Sequence, residues 1–453
     1  MEADDSSLHI AMYPWFAFGH ITPFLHLSNK LAKRGHKISF FVPTRTQSKI
    51  EHFNHFPHLI TFAPITVPHI DGLPLGAETT YDVPNPLLFP LIIMAMEKTK
   101  LQIELLLRNL KPDIIFFDFA HWIPNLARPL GIKSVFYSII SPVSIGYGVA
   151  RENVQKKEAE ISEQTFLHPP PDFPDSSSMN LHLHETKFFA ANSKPPQFDG
   201  GTRTSLFRRI YTSMMESDAL AFKAFMPEPP VSTSLEEKWA NFLGGFKAGS
   251  GIYCALGSEW TLTKEQFQEL LLGFELSGLP FLAALKPPYG AEKIEEALPE
   301  GFGERIRGRG VVHGGWIQQR LILEHPCVGC FVTHCGSGSL MEGLLSKSQL
   351  VMIPHVGDHC FRARLIGNIF KAGVEVERAE EDGFFTKESV CKAIKTVMEE
   401  ENYYCDKDQS HLQPCQVARE IRANHAQLRE LLSLKDLESS YIDDFSKKLQ
   451  LLL

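Results

Sequence analysis

Gly329 to Thr333, reading GCFVT, is a short β-branched and aromatic run, and a small-residue turn separates it from SLMEGLL, Ser339 to Leu345, where Leu340, Leu344 and Leu345 have helical spacing. A buried strand that feeds a helix in this way belongs to an α/β fold. The turn, His334-Cys335-Gly336-Ser337-Gly338-Ser339, is made of small residues that let a ligand approach the backbone closely. The free N–H groups and positive dipole end of the helix behind it suit a diphosphate. Glu342, one turn into the helix, can accept hydrogen bonds from ribose hydroxyls. Trp316 offers a flat face for a base, and Asp358 with His359 forms a polar pair just after a second apolar strand, Leu350 to Ile353. The glycine pattern alone is weak, because GSGS lacks the third glycine of the dinucleotide fingerprint. The joint constellation is what points to a nucleotide-bearing ligand.

A second such unit opens the chain. Leu8 to Phe16 reads as a strand, and Thr22 to Arg34 as a helix with Thr22 as N-cap, Pro23 in the first helical position, Leu27 and Leu31 on one face, and Gly35 as the stop. Ile38 to Val42 returns as a strand. His20 then falls in the turn outside the carboxyl end of the first strand, where ligands bind in open α/β sheets. Asp118 ends another apolar strand, Ile114 to Phe117, and opens on the same edge. A carboxylate there can hold an imidazole in one tautomer and stabilise its protonated form, which makes His20 and Asp118 a candidate base and orienter. Each residue also has a plainer reading: Asp118 as a helix cap, Trp316 as core, Glu342 as an ordinary helix residue. Cys327, Cys330, His334 and Cys335 carry metal-ligand chemistry, but Cys330 and Cys335 flank a strand too short to fold back into a tetrahedral cage, so no zinc site is expected.

Strand and helix patterns alternate through two halves. The expected divisions are a first Rossmann-like domain over 1–225, a linker over 226–250 around the Pro- and Ser-rich PEPPVSTS, a second Rossmann-like domain over 251–435 starting at the strand Gly251 to Ala255, and a terminal helix over 436–453. Ser162 to Pro196 has little periodicity and reads as an irregular surface excursion near the acceptor side. In the tail, Ile442, Phe445, Leu449 and Leu452 share one helical face that must be buried.

With 453 residues, 43% hydrophobic and 22% charged, the chain can fill two large cores. A net charge of −8 gives no electrostatic reason to bind nucleic acid or acidic membranes. All 8 cysteines lie from Cys254 onward, which fits a reducing compartment, and the acidic MEADDSS start lacks the basic region of a signal peptide, so a cytoplasmic location without stable membrane insertion is expected.

The constellation from Trp316 to His359 resembles the donor-binding signature of plant family 1 UDP-dependent glycosyltransferases, and the resemblance runs from MYPWFAFGHITPFLHL to the end of the chain. The glycine-rich turn, FFDFAHW at Phe116 to Trp122 and KPP at Lys286 to Pro288 look most like the branch that adds a sugar to an existing sugar of a flavonoid or anthocyanin glycoside. The resemblance implies a GT-B fold, with two Rossmann-like, doubly wound domains facing across a cleft. It implies that Trp316 stacks on uracil with Ile317 beside it, and that Gln319 meets the uracil edge or ribose. His334, Gly336, Ser337, Gly338 and Ser339 would meet the diphosphate together with the Gly257-Ser258 turn, Glu342 would hold the ribose, and Asp358 and His359 would face the transferred sugar. His20 would be the general base of an inverting transfer, and no metal or cofactor is implied; the partners are a UDP-sugar and a glycoside acceptor, and the enzyme is expected to be a monomer.

Most such enzymes have Trp-Asn at Ser337-Gly338 and many have Gln at His359, departures that bear on the donor sugar, for which UDP-xylose, UDP-glucose, UDP-galactose, UDP-arabinose and UDP-rhamnose all stay open. Relatives also carry a further helix and strand between Leu220 and the linker, so this chain looks shortened near Phe225, and a UDP-binding form without turnover is the alternative. Acceptors of other kinds, a flavonoid aglycone or a terpenoid glycoside, also stay open. Trp15, Phe16, Phe119, Trp122 and Tyr137 either line a slot for a flat polyphenol or fill the core. A nicotinamide dehydrogenase would need GxGxxG after the first strand, where this chain has WFAFGH.

Overall fold

A computed structural model describes residues 7–83, 88–155, 162–170, 173, 177–194, 204–223, 234–257, 259–398, 414–434 and 436–453. The shortened stretch near Phe225 and most of PEPPVSTS lie outside these residues, as does Ser258.

The first sheet holds β1 (His9–Tyr13), β2 (Lys37–Pro43), β3 (Ile60–Ile65), β4 (Ile114–Phe117), β5 (Lys133–Ser138) and β6 (Ala219–Phe222). The second holds β7 (Gly251–Ala255), β8 (Phe281–Ala284), β9 (Gly310–His313), β10 (Val328–Thr333), β11 (Gln349–Met352) and β12 (Gly373–Glu375). Every strand pair is parallel. The spatial orders are β3-β2-β1-β4-β5-β6 and β12-β11-β10-β7-β8-β9. Counted within its own half, each sheet therefore runs 3-2-1-4-5-6, the doubly wound Rossmann order, whose connections diverge between strands one and four.

Parallel strands covered on both faces are apolar at every position, and β1 divides its side chains accordingly. Ile10 and Met12 pack with Phe24, Leu27 and Leu31 on one face, while Ala11 and Tyr13 pack with Ile103, Leu107 and Trp122 on the other. The second sheet repeats the division: Ile252 and Cys254 join Phe267 and Phe274, and Tyr253 and Ala255 join Trp239 and Leu344. At the first sheet's margin β6 pairs with β5, and Leu220 is 47% exposed.

The terminal helix, Leu437–Leu451, lies against the helix after β1. Ile442 and Leu449 are buried in the first sheet's core, Arg34 bonds Asp443 at 2.6 Å and His36 meets Ser446 at 2.6 Å. Within the stretch read as a linker, Glu237–Gly244 is a helix whose Trp239 and Leu243 are buried under the second sheet.

The Ser162 to Pro196 segment differs most from expectation. It contains the helix Leu183–Ser193, and its Phe166, Leu181 and Phe189 form a core with Tyr147 and with Cys360 and Phe361 of the second half. Glu185, on this helix, bonds Arg364 at 2.6 Å and Arg378 at 2.8 Å, and Arg364 also bonds Glu375 at 2.7 Å. The alternation of buried residues here follows contacts to a distant part of the chain, so no single helical or strand period shows. Two carboxylates and two guanidinium groups bond one another, with Glu185, Arg364 and Arg378 buried and Glu375 21% exposed, so removal of one member would leave a largely buried charge without its counterion.

Candidate active site

Loops that follow strand carboxyl ends join the two halves. Thr80, after β3, donates to Glu259, after β7, at 2.8 Å. Ser141, after β5, donates to Asp358, after β11, at 2.5 Å, and Lys223, after β6, donates to Ser337, after β10, at 3.3 Å. The carboxyl edges of the two sheets therefore face each other, which puts both divergence points, β1/β4 and β7/β10, on one cleft.

His20 and Asp118 occupy the first divergence point. The helix behind β1 spans Phe18–Ala32, with Ala17 at its N-cap and Pro23 inside it, so it begins before the expected Thr22. His20 is thus in the first helical turn; the extended backbone of Ala17 starts the helix without the side-chain cap that the sequence reading looked for. Imidazole Nδ1 donates to Asp118 Oδ2 at 2.6 Å. Asp118 Oδ1 accepts from the Trp15 amide at 2.7 Å and its neighbour Phe119's amide at 2.8 Å. A buried carboxylate held by two main-chain donors cannot turn away. It keeps the proton on His20 Nδ1, leaving the Nε2 lone pair for a substrate. Phe119 packs on the His20 ring at 5.1 Å. Trp15, Phe16, Trp122 and Tyr137 are buried, so they fill the core.

The second divergence point is built differently. Gly257 takes φ +75°, and an added Cβ there, or at Gly336, would run into His334 Nε2. The two glycines are what allow the imidazole to lie between the turns after β7 and β10. Cys335, between His334 and Gly336, holds φ +67°, a conformation uncommon outside glycine and of the kind that collects at ligand sites. The helix that follows starts at Ser337, two residues earlier than its periodicity suggested, so Ser337, Gly338 and Ser339 form its first turn. Gly336, its N-cap, has no side chain to occupy the turn's amides, and no acidic residue lies there to compete with an anion.

The outer wall of this half carries the base-recognition candidates. Trp316 is 81% exposed, its indole bare to solvent, whereas Ile317 next to it is buried. Gln319 donates to Glu342 Oε2 at 2.7 Å and to Ser339 Oγ at 3.1 Å, and Tyr253 donates to its carbonyl oxygen at 3.4 Å. Burial raises the Glu342 carboxyl above its ordinary range, and the Gln319 bond opposes the rise.

Asp358 and His359 are less open than the sequence suggested. Asp358 accepts from Ser141 and Ser144 and pairs with Arg362, which also donates to the Ile139 carbonyl at 3.0 Å. His359 stands edge-on to His334 with ring centres 5.0 Å apart, and the Nδ1 atoms of both are buried with no partner. His355 completes the cluster, 6.4 Å from His359 and stacked on Trp260 at 4.5 Å. Burial holds His334 down at about 4 and His355 at about 3, and pushes His359 well below the ordinary value of 6.5.

Sequence reading missed His355, Lys223 and Arg362, together with Ser141 and Ser144. Burial, then Arg362, lowers Lys223 from 10.5 to about 8, with Glu342 opposing. PHVGDH displayed His355 and SPVS displayed both serines, but Lys223 follows an unremarked edge strand and carried no local signal.

A pair of Rossmann-like sheets with an imidazole–carboxylate couple on one edge and an open, glycine-flanked helix terminus opposite defines a two-domain transferase that handles a nucleotide-linked group. Residues 306–409 match the family model for UDP-glucoronosyl and UDP-glucosyl transferases. A cyanidin 3-O-galactoside 2''-O-xylosyltransferase from Actinidia chinensis var. chinensis is 54% identical over 472 residues, covering 99% of each chain. An anthocyanidin 3-O-glucoside 2''-O-glucosyltransferase from Ipomoea nil is 48% identical, covering 100% of each. A solved UDP-glucosyltransferase from Polygonum tinctorium has the same fold, with a TM-score of 0.75 at 18% identity, over 98% of this chain and 99% of that one. The chain belongs to the UDP-dependent glycosyltransferases. The Actinidia alignment is 472 residues long against 453 here, so at least 19 of its positions are filled only in the relative.

Proposed function

We propose that the enzyme adds a sugar from a UDP-sugar to a flavonoid or anthocyanin 3-O-glycoside, on a hydroxyl of the sugar already present, with inversion at the anomeric carbon. The observation that carries the reading is the His20–Asp118 couple facing the Gly257/His334 turns across one cleft. The names of the two curated relatives supply the acceptor class, and because one transfers xylose and the other glucose, overall similarity leaves the choice between a pentose and a hexose open.

His20 Nε2 takes the proton of the acceptor hydroxyl as that oxygen bonds to the anomeric carbon. The bond from that carbon to UDP breaks on the opposite face, and its electron pair leaves on the diphosphate. Asp118 stabilises the imidazolium, and general-base help of this type contributes roughly a hundredfold to ten-thousandfold. Trp316, Ile317 and Gln319 receive the uracil, and Glu342 holds the ribose. Gly336 to Ser339, His334 and the Gly257-Ser258 turn hold the diphosphate, and His359 lies toward the transferred sugar. Asp358 reaches that sugar only by exchanging its Ser141 and Ser144 bonds. The helix amides and Lys223 meet the leaving charge, so the reading needs no metal. We divide the chain at the bounds given above, except that the Glu237–Gly244 helix goes with the second domain. We take the enzyme as a cytoplasmic monomer; among the described residues no helix is long and apolar enough to cross a membrane.

Mass spectrometry of reactions pairing UDP-sugars with free flavonoids and with their 3-O-glycosides tests this. A pentose or hexose mass added only to glycosides is expected, and addition only to aglycones overturns it. Donor binding without turnover is a second reading, favoured by the missing alignment positions and the exposed margin at Leu220; UDP binding with no product from any pair would establish it.

A further inference from the structure

A cavity of about 540 Å³ lies beside the donor half of the cleft, within the range of roughly 300–1,000 Å³ common for small-molecule sites. Thr80, Tyr81 and Phe89 line it from the first half, and Glu259, Lys286 and Tyr289 from the second. None of these six belongs to the residues that receive UDP above. Both walls are nonetheless tied to the reacting groups. The Thr80 amide bonds the Phe16 carbonyl at 2.9 Å, in the loop that leads into the His20 helix, and Tyr81 packs on Phe18 of that helix at 5.7 Å. Glu259 stands two residues after Gly257, and its carboxylate accepts from Thr80 across the cavity at 2.8 Å. The Lys286 ammonium lies 5.4 Å from the Tyr81 ring, and partial burial lowers its pKa.

The lining chemistry favours one class of ligand. A flat polyphenol needs two parallel apolar walls. Here ring faces alternate with two carboxylates, Glu259 and Asp82, an ammonium and hydroxyls. A pyranose has that character, with C–H faces that lie on aromatic rings and a rim of hydroxyls that both donate and accept. We infer that this cavity is the subsite for the sugar already carried by the acceptor, with Glu259 and Lys286 bonding its hydroxyls and Tyr81 or Tyr289 under its face. The inference rests on the sugar-on-sugar reading. It adds that the second half of the chain, besides holding the donor, selects the acceptor.

The test is steady-state kinetics of wild type, Glu259→Gln and Lys286→Met with a 3-O-glycoside and its matching aglycone, alongside calorimetric UDP binding and thermal melting to show that each variant is folded. Loss of one charged hydrogen bond is expected to raise KM for the glycoside roughly tenfold, with KM for the UDP-sugar and the affinity for UDP little changed. Folded variants with wild-type KM for the glycoside, or with the defect in KM for the UDP-sugar, overturn the subsite. A wild-type enzyme that glycosylates aglycones but no glycoside overturns the sugar-on-sugar reading and the subsite with it, a result told apart because it appears before any residue is changed.

Discussion

The two sheets have the same strand order and use the same divergence point for opposite purposes. At β1/β4 the chain places two ionisable side chains and fixes them with main-chain donors: Asp118 is held by two amides and holds His20 in turn. At β7/β10 it removes side chains, and Gly257 and Gly336 clear room for His334 while the helix terminus stays uncovered. One edge is suited to moving a proton, and the other to receiving a charged ligand against its backbone. A doubly wound sheet offers a position, and the residue types in the two turns decide what is done there.

The contrast can be broken most sharply at His20. His20→Ala is expected to lower kcat by roughly a hundredfold to ten-thousandfold while calorimetric UDP affinity stays near wild type. If UDP affinity fell in step with activity, the two edges would not have separate duties. The converse change is Gly257→Ala, which forces a Cβ into a φ of +75° against His334. Strain of about 1–3 kcal/mol should weaken UDP binding about tenfold or more while kcat at saturating UDP-sugar stays near wild type. Glu342→Gln tests the outer wall, and a rise of roughly tenfold in KM for the UDP-sugar is expected with little change in kcat, since the ribose contact proposed for Glu342 would count equally in ground and transition states.

The smallest effect expected is on stability. His334, His355 and His359 are held neutral by burial, whereas in the unfolded chain they take up protons below about 6.5. The unfolded state then binds more protons, so stability is fully present above that value and is lost as pH falls toward about 4. Melting temperature should drop between pH 7 and 5 by on the order of 5 °C. His355→Gln should flatten the drop, and an unchanged slope would show that the cluster is not its source.

Much of this was readable from local pattern. Ile114–Phe117 and Gly251–Ala255 have the bounds that their apolar runs suggested, and the tail stripe of Ile442 and Leu449 is buried as a helical face must be. His20 and Asp118 could be paired because strand ends in a parallel sheet share an edge. The helix starts before Thr22 because Ala17 opens it without a side-chain cap, and Pro23, a good first-turn residue, sits inside it. What local pattern could not carry were contacts between residues far apart in the chain. Nothing near Ser141 announces Asp358, nothing near Lys223 announces Ser337, and Glu185 finds its arginines in the other half. The cavity is of the same kind, since Thr80 and Glu259 become neighbours only once both sheets exist.

The largely buried Glu185, Arg364, Glu375 and Arg378 network also has a mechanical consequence. It lies toward β11 and β12 in the second half and is gripped by the segment between β5 and β6 of the first, while the cavity lies toward β3 and β8, on the far side of both divergence points. Separating four largely buried charges is costly, and stretching the Thr80–Glu259 bond much less so. The two sides of the cleft are therefore tied unequally, by a network of charged bonds at one side and by a single hydroxyl–carboxylate bond at the other.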